Sequence, residues 1–375
     1  MKQRIAVLFG GPTLEHDVSC ISAASIVQHL DRERFEVTPV LVTREGVWVV
    51  GKDDPSFSTV DVPALLQMTG SPEVASDGAQ SGTARVADSI AGAIETIARL
   101  DIVLPAFHGP YGEGGKVQAL LDLIGVPYIG SGMAASAAGM DKHWTKTILI
   151  AAGLTVAEGV LLNPGETDLS EADRARLGLP VFVKPVREGS SIGVSRVDDW
   201  TQLDDALALA HRSDAKVLIE GAVVGRELDV AVLEQPDGKL VCGPPLEIMV
   251  EAAGRFFDYD AKYRPGSAEL RVPADLDPET TARLQDHAIR AFRALGCAGL
   301  LRVDFFLRAE GDRLQPVVNE VNTFPGFTAM SQYPRIWKAA GLSFTELLSG
   351  LVDTALGSPQ PAPVAASKPV ELELI

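Results

Sequence analysis

Five apolar residues, Ile5-Ala6-Val7-Leu8-Phe9, run straight into Gly10-Gly11, and behind them Val18, Ile21, Ala24, Val27 and Leu30 recur at helical spacing. A strand without polar alternation is buried on both faces, and a helix that follows it at once must fold back along it. Residues 37–42 and Ile102-Val103-Leu104 read as further strands of the same kind. Strands alternating with helices dictate a parallel sheet covered by helices. Gly10-Gly11 leaves the dinucleotide fingerprint incomplete, so a nicotinamide enzyme has little support.

Beyond Met140 the pattern changes. Val181-Phe182-Val183-Lys184-Pro185 reads as a strand, residues 188–193 as a Gly/Ser turn, and residues 194–197 as a return strand. Leu203, Ala206, Leu207 and Ala210 mark a helix, and residues 217–220 and 228–233 two more strands. Asp277-Pro278 is a helix start, with Leu284, Ala288, Phe292 and Leu295 as its buried stripe, before strands at 301–307 and 317–322. The expected organisation is an N-terminal α/β domain at 1–135, a small α+β domain at 136–235 and a larger one at 236–357. Residues 358–375, Pro- and Ala-rich, read as a flexible tail, and 55–88 as a surface insertion.

With 33 Lys+Arg against 50 Asp+Glu, the net charge of −17 disfavours nucleic acid and anionic membrane as partners. Cations that meet an anionic substrate must therefore be gathered in one place. Cys20, Cys242 and Cys297 lie far apart, which indicates neither zinc nor disulfides and fits a reducing compartment. With no signal-peptide core and no run of about 20 apolar residues, a cytoplasmic location is expected.

Residues 109–116 miss the phosphate-loop pattern, because Pro110 replaces its first glycine and Val117 its Ser or Thr. Gly189-Ser190-Ser191-Ile192-Gly193 fits the letters of a hydrolase elbow with Ser191 as nucleophile, but that motif needs a helix directly after it. Alternating Val194-Ser195-Arg196-Val197 favours instead a hairpin whose small polar tip can fold over a phosphate chain. Lys184, on a strand otherwise of Val and Phe, is a natural counter-charge for phosphate, and Lys142 is a second candidate. In Arg302-Val303-Asp304 and Glu320-Val321-Asn322, the period of two gathers two carboxylates, an amide and a guanidinium on one face. Those oxygens are hard ligands suited to Mg²⁺. The following Thr323-Phe324-Pro325-Gly326 turn could set a backbone N–H against an oxyanion.

With these residues in hand, the chain resembles the D-alanine–D-alanine ligases, members of the ATP-grasp superfamily. The motifs are Gly10-Gly11 with Glu15-His16-Asp17-Val18-Ser19, His108-Gly109-Pro110-Tyr111-Gly112-Glu113, Met140-Asp141-Lys142, and Lys184-Pro185 through Gly193. Asp258-Tyr259-Asp260-Ala261-Lys262-Tyr263, Arg302-Val303-Asp304 and Asn319-Glu320-Val321-Asn322-Thr323 with Pro325-Gly326 complete the set, in family order. The implied fold combines α/β and α+β parts: an ATP-grasp fold behind a doubly wound N-terminal α/β domain. The implied activity phosphorylates one D-alanine with ATP and joins it to a second, for peptidoglycan precursor synthesis.

By the same resemblance, Lys142, Lys184 and Lys262 would contact phosphates, while Ser190, Glu220, Gly221, Ala222, Val223, Glu227 and Asn319 would complete the nucleotide site. Asp304, Glu320 and Asn322 would hold two Mg²⁺ ions, with Mn²⁺ a possible substitute, and Arg302 and the Gly326 N–H would stabilise the tetrahedral intermediate. Glu15, with His108 nearby, would hold the first D-alanine's ammonium; Ser190 would link Glu15 to Tyr263; Ser331 and Lys262 would take the second carboxylate. Tyr263 favours an amine over a hydroxyl as second nucleophile. Family members are commonly homodimers. Ligation to D-serine or D-lactate, hydrolysis through Ser191, and nucleotide binding without activity are the alternatives.

Overall fold

The computed structural model describes residues 2–54, 82–250, 268–311 and 313–357. The first sheet holds β1 (Gln3–Gly10), β2 (Phe35–Val42), β3 (Trp48–Val50) and β4 (Ile102–Pro105) in the order β3-β2-β1-β4. β1 runs parallel to β2 and β4, and β3 is an antiparallel edge. Along β1 both faces are buried. Ile5, Val7 and Phe9 pack with Ala23, Ile26 and Val27 of α1 (His16–His29), while Ala6 and Leu8 pack with residues of α2 (Gly82–Ile97) and α3 (Lys116–Ile124). The expected surface insertion at 55–88 thus gives way at Gly82 to a covering helix, whose Ala93 and Ile97 are buried; residues 55–81 lie outside the described residues.

Two short helices follow, α4 (Met133–Met140) and α5 (Lys142–Ala151), the second capped by Asp141, whose side chain accepts from the His143 and Trp144 N–H groups. The central sheet is antiparallel, in the order β5 (Gly159–Leu162), β8 (Val217–Gly221), β6 (Val181–Pro185), β7 (Ser195–Val197). Between its strands lie α6 (Glu171–Leu177) and α7 (Leu203–Ala210), and α7 buries Leu203, Ala206, Leu207 and Ala210 against Val181, Val183 and Ile219.

The third sheet runs β12 (Ala268–Arg271), β11 (Leu246–Val250), β9 (Arg226–Glu234), β13 (Leu300–Glu310), β14 (Arg313–Asn322), with β10 (Leu240–Cys242) also on β9. Helix α8 (Pro278–Leu295) covers it. Its cap is the one the sequence spells: the Asp277 side chain accepts from Thr280 N–H at 2.8 Å, Pro278 opens the first turn, and Gly296 closes the helix at φ 67°. The stripe Leu284, Ala288, Phe292 and Leu295 is buried against Val230, Val303 and Phe305.

The sheets divide the chain differently from the boundaries 136 and 235. β9, inside the expected central unit, pairs with β13 over residues 226–233 and with β11 over residues 227–229. Helices α4 and α5 pack on β14, and α5 on α8. By sheet membership the central unit is close to residues 159–221. The C-terminal end is also shared: α9 (Gln332–Ala339) and α10 (Phe344–Gly357) put Tyr333, Leu347 and Leu351 into one core with Ile5 and Ile26 of the first layer. Residues 358–375 lie outside the described residues.

Candidate active site

A cleft of about 550 Å³ opens between the central and third sheets, with Glu15 and His108 of the first layer lining one end. On its central-sheet wall, Lys184 of β6 stands opposite Leu218 of β8, and Glu220 lies two residues further on the same face. Lys184 pairs with Glu220 Oε2, while Lys146 of α5 reaches Glu220 Oε1 at 2.6 Å. Burial works against ionisation of Glu220, but the two ammonium groups prevail and hold its pKa below the ordinary value. Lys146 is a residue the sequence reasoning missed. It follows Lys142 by four residues, one helical turn, which puts both lysines on one face of α5.

The 188–193 turn is a hairpin tip, as expected: β7 returns antiparallel to β6 and the next α-helix waits until Leu203. The strand–turn–helix that a nucleophilic Ser191 needs is absent here. The loop root is fixed by Arg187, whose Nε and Nη2 donate to the buried Asp214 carboxylate at 2.9 and 2.6 Å. At the tip, Ser190 and Ser191 have φ of 50° and 58°, left-handed values that cost a non-glycine residue roughly 1–2 kcal/mol each. The Ser190 hydroxyl donates to Glu15 Oε1 across the cleft, and Lys142 donates to the Glu188 carbonyl at 2.5 Å.

Glu15 sits at the start of α1, 6% exposed. Glycine is required around it. A Cβ on Gly109, at φ 82°, would lie 2.5 Å from Glu15 Oε2, and one on Gly189 would lie at 2.9 Å. His108 shares a hydrogen bond with Ser22 at 2.8 Å; burial, with help from Arg302, pushes its pKa down to about 4. Glu113 accepts from Gly109 N–H at 2.7 Å, and burial followed by the charge of Glu15 pushes its pKa up to about 8. Glu188 is raised for the same two reasons. This corner therefore concentrates acid, as a site for an ammonium group should.

The opposite wall is the β13–β14 hairpin. Arg302 faces Asn322 and Asp304 faces Glu320 in its register, and the alternation read from the sequence holds to that point. The register then shifts, so that Phe305 pairs with Val318 and Asn319 is left as the extra residue of a bulge. Asn319 joins Glu320 and Asn322 in lining the cleft, which strict alternation would not give. Arg302 donates to both oxygens of Asp304, at 2.7 and 2.8 Å, and to Gln332 at 3.1 Å; Asp229 lies 3.6 Å from its Nε. Asn322 donates to Asp304 Oδ2 at 3.1 Å. Ser331 starts α9 and accepts from Thr328 N–H at 3.0 Å, and Gly326 lies beside it.

Gly221, Val223 and Glu227 line the cleft with Glu220. Ala222 is not part of the lining, and its N–H is spent on the Pro180 carbonyl at 3.0 Å. Lys262 and Tyr263 lie outside the described residues.

Two antiparallel sheets that grip a cleft, with lysines on one wall and carboxylates on the other, define a nucleotide-using ligase of the ATP-grasp class. Two family models match: D-ala D-ala ligase N-terminus over residues 4–131 and D-ala D-ala ligase C-terminus over residues 148–353. The chain belongs to the D-alanine–D-alanine ligase family. It is 48% identical to a D-alanine--D-alanine ligase of Mycolicibacterium smegmatis, covering 95% of this chain and 96% of that one. The corresponding protein of Rhodococcus erythropolis is 46% identical, at 95% and 97% coverage. Among solved structures, the D-alanine-D-alanine ligase from Coxiella burnetii superposes with a TM-score of 0.77 at 32% identity, covering 95% of this chain and 94% of that one. The VanG D-Ala:D-Ser ligase from Enterococcus faecalis gives 0.77 at 31% identity, with 95% and 100% covered. A Bacillus anthracis D-alanine--D-alanine ligase complexed with ATP gives 0.70 at 28% identity, with 94% and 97% covered.

Proposed function

We propose that the protein joins two molecules of D-alanine at the expense of ATP. The γ-phosphoryl group passes to a carboxylate oxygen of the first D-alanine, releasing ADP and leaving an acyl phosphate. The amine of the second then attacks the acyl carbon, and phosphate leaves as the peptide bond closes. The observation that carries the reading is the polarity of one continuous cleft: buried lysines on one wall, carboxylates facing them, and an acidic corner at one end. Phosphoryl transfer between anions needs this kind of placement more than covalent help.

In this reading Lys142 and Lys184 neutralise phosphates, with Lys262 as a third. Glu220, Gly221, Val223 and Glu227 surround adenine and ribose, and Asn319 completes the nucleotide site from the opposite wall. Glu15 holds the first ammonium, His108 stays neutral beside it, and Ser190 ties the loop down over the reacting carboxylate, excluding water with Tyr263. Ser331 and Lys262 receive the second carboxylate, and Arg302 and the Gly326 N–H face the oxyanion. Asp304, Glu320 and Asn322 supply hard oxygen donors that fit Mg²⁺; when bound, Mg²⁺ neutralises and aligns the phosphates. Nucleotide phosphates would complete the shell. The same reading carries a homodimer and a cytoplasmic location. Among the described residues no helix is long and apolar enough to cross a membrane.

Mass spectrometry of the product formed from ATP, Mg²⁺ and D-alanine tests the proposal, with D-serine and D-lactate offered in competition. D-alanyl-D-alanine with stoichiometric ADP is expected. Mixed dipeptide or ester as the main product at neutral pH would overturn the substrate assignment.

A further inference from the structure

The interior of the nucleotide wall carries more positive charge than its own acid can use. Glu220 is 3% exposed, Lys146 6% and Lys184 8%, so two ammonium groups and one carboxylate are withdrawn from water together. One lysine would neutralise one carboxylate, and a second buried cation is a cost unless something repays it. The oxygens are divided between them: Lys146 holds Oε1 and Lys184 holds Oε2. Lys184 repels Lys146, and Glu320, across the cleft, is a second carboxylate that attracts it.

We propose that Lys146 is a positioning residue that lets Lys184 change partners. When the phosphate chain enters, Lys184 leaves Glu220 Oε2 for the anion, and Lys146 alone keeps Glu220 paired. Every buried charge then has one counter-charge. The freed Oε2 faces the cleft as an acceptor, suited to the exocyclic amine of adenine and repelled by the carbonyl that guanine carries at the same place. Phosphate and base binding are thereby coupled through one carboxylate. Without Lys146, the departure of Lys184 would strand a buried carboxylate, and Lys184 would stay where it is.

The inference rests on reading the cleft as the ATP site, and a double-mutant cycle tests it. The probe is the β,γ-imido analogue of ATP with Mg²⁺, titrated by calorimetry into the full chain, with thermal melts run on every variant. Lys146→Met should weaken binding at least about tenfold, because Lys184 is now held by Glu220. Adding Glu220→Gln in the Lys146→Met background removes the acid that holds Lys184 and should recover most of that loss, although a contact to the base has been given up. A merely structural Lys146 predicts the opposite, a double variant that binds no better than the single one. Equal binding by Lys146→Met and the parent, or a double variant no tighter than Lys146→Met, overturns the exchange. If Lys146→Met does not fold, the double variant, which keeps the trio's net charge, still decides: tight binding supports the exchange, and binding at least tenfold weaker than the parent overturns it. No binding by the unaltered chain overturns the nucleotide reading and the exchange with it.

Discussion

The β13–β14 hairpin and the Glu15 corner both hold carboxylates proposed to serve the same reaction, yet they are assembled in opposite ways. In the hairpin, Arg302, Asp304, Glu320 and Asn322 are cross-strand neighbours fixed by sheet register, and Arg302 already compensates Asp304. The corner draws Glu15 from the start of α1, His108 and Glu113 from the segment after β4, and Ser190 from a hairpin tip 175 residues from Glu15. The hairpin is thus pre-organised by local backbone, and the corner depends on closure between layers. The first should fail through chemistry and charge balance, the second through substrate affinity.

Asp304→Asn strikes the hairpin hardest. It removes a carboxylate proposed to hold Mg²⁺ and one half of a bidentate pair with a guanidinium that is 8% exposed. Turnover, followed as ADP release, should fall by about 1,000-fold or more. The melting temperature should also drop, because a buried charge that loses its partner costs about 3 kcal/mol or more. Asp229, 3.6 Å away, limits that second loss. A fall of less than tenfold in turnover would show that the hairpin is not the reacting end of the cleft.

Glu15→Gln asks whether the corner is separable from it. The amide keeps an acceptor for the Ser190 hydroxyl and loses only the charge. KM for D-alanine should rise by about 30- to 100-fold, the worth of a charge-assisted contact, while KM for ATP stays within about threefold. Parallel losses in both constants would mean that closure of the 188–193 loop, rather than ammonium binding, is what Glu15 supplies.

The two regions also differ in how far they can be read from sequence. Period two alone put Arg302 and Asp304 on one face, and Glu320 with Asn322, because a strand's alternation is local. It could not supply the bulge that turns Asn319 toward the cleft, which is a property of the pair of strands. The capped helix at Pro278 was legible for the same local reason, as was the buried β1. The corner was not. No spacing rule joins Glu15 to Ser190 or His108 to Ser22; the first link came from the family's motifs, and the second is seen only in the structure. Domain edges are hard to read for a similar reason: β9 reads as a strand from its own residues, but only its partners tell which sheet it enters. Lys146 lay between these cases, since its position on the Lys142 face was available and its meeting with Glu220 was not.

The smallest effect expected separates the regions by pH. Glu113 carries a pKa of about 8 in the folded chain against an ordinary 4.5, because burial and then Glu15 disfavour its charged form. The folded state therefore binds more protons than the unfolded state between those values. This contribution to stability is full below pH 4.5, declines as pH rises, and is gone above about 8. Glu113→Gln removes the slope, so the variant should gain on the parent from pH 5 to pH 8.5, by a few degrees of melting temperature. His108 works in another window: with its pKa down at about 4 from 6.5, its contribution is full above 6.5 and fades as pH falls through 4. Replacing His108 should thus move the acid limb of the stability curve and leave the alkaline limb in place. Saturating D-alanine brings an ammonium to the corner, which favours the ionised Glu113 and should flatten the parent's alkaline slope. A Glu113→Gln curve parallel to the parent's from pH 5 to 8.5 would mean that the corner, like the hairpin, balances its charge internally.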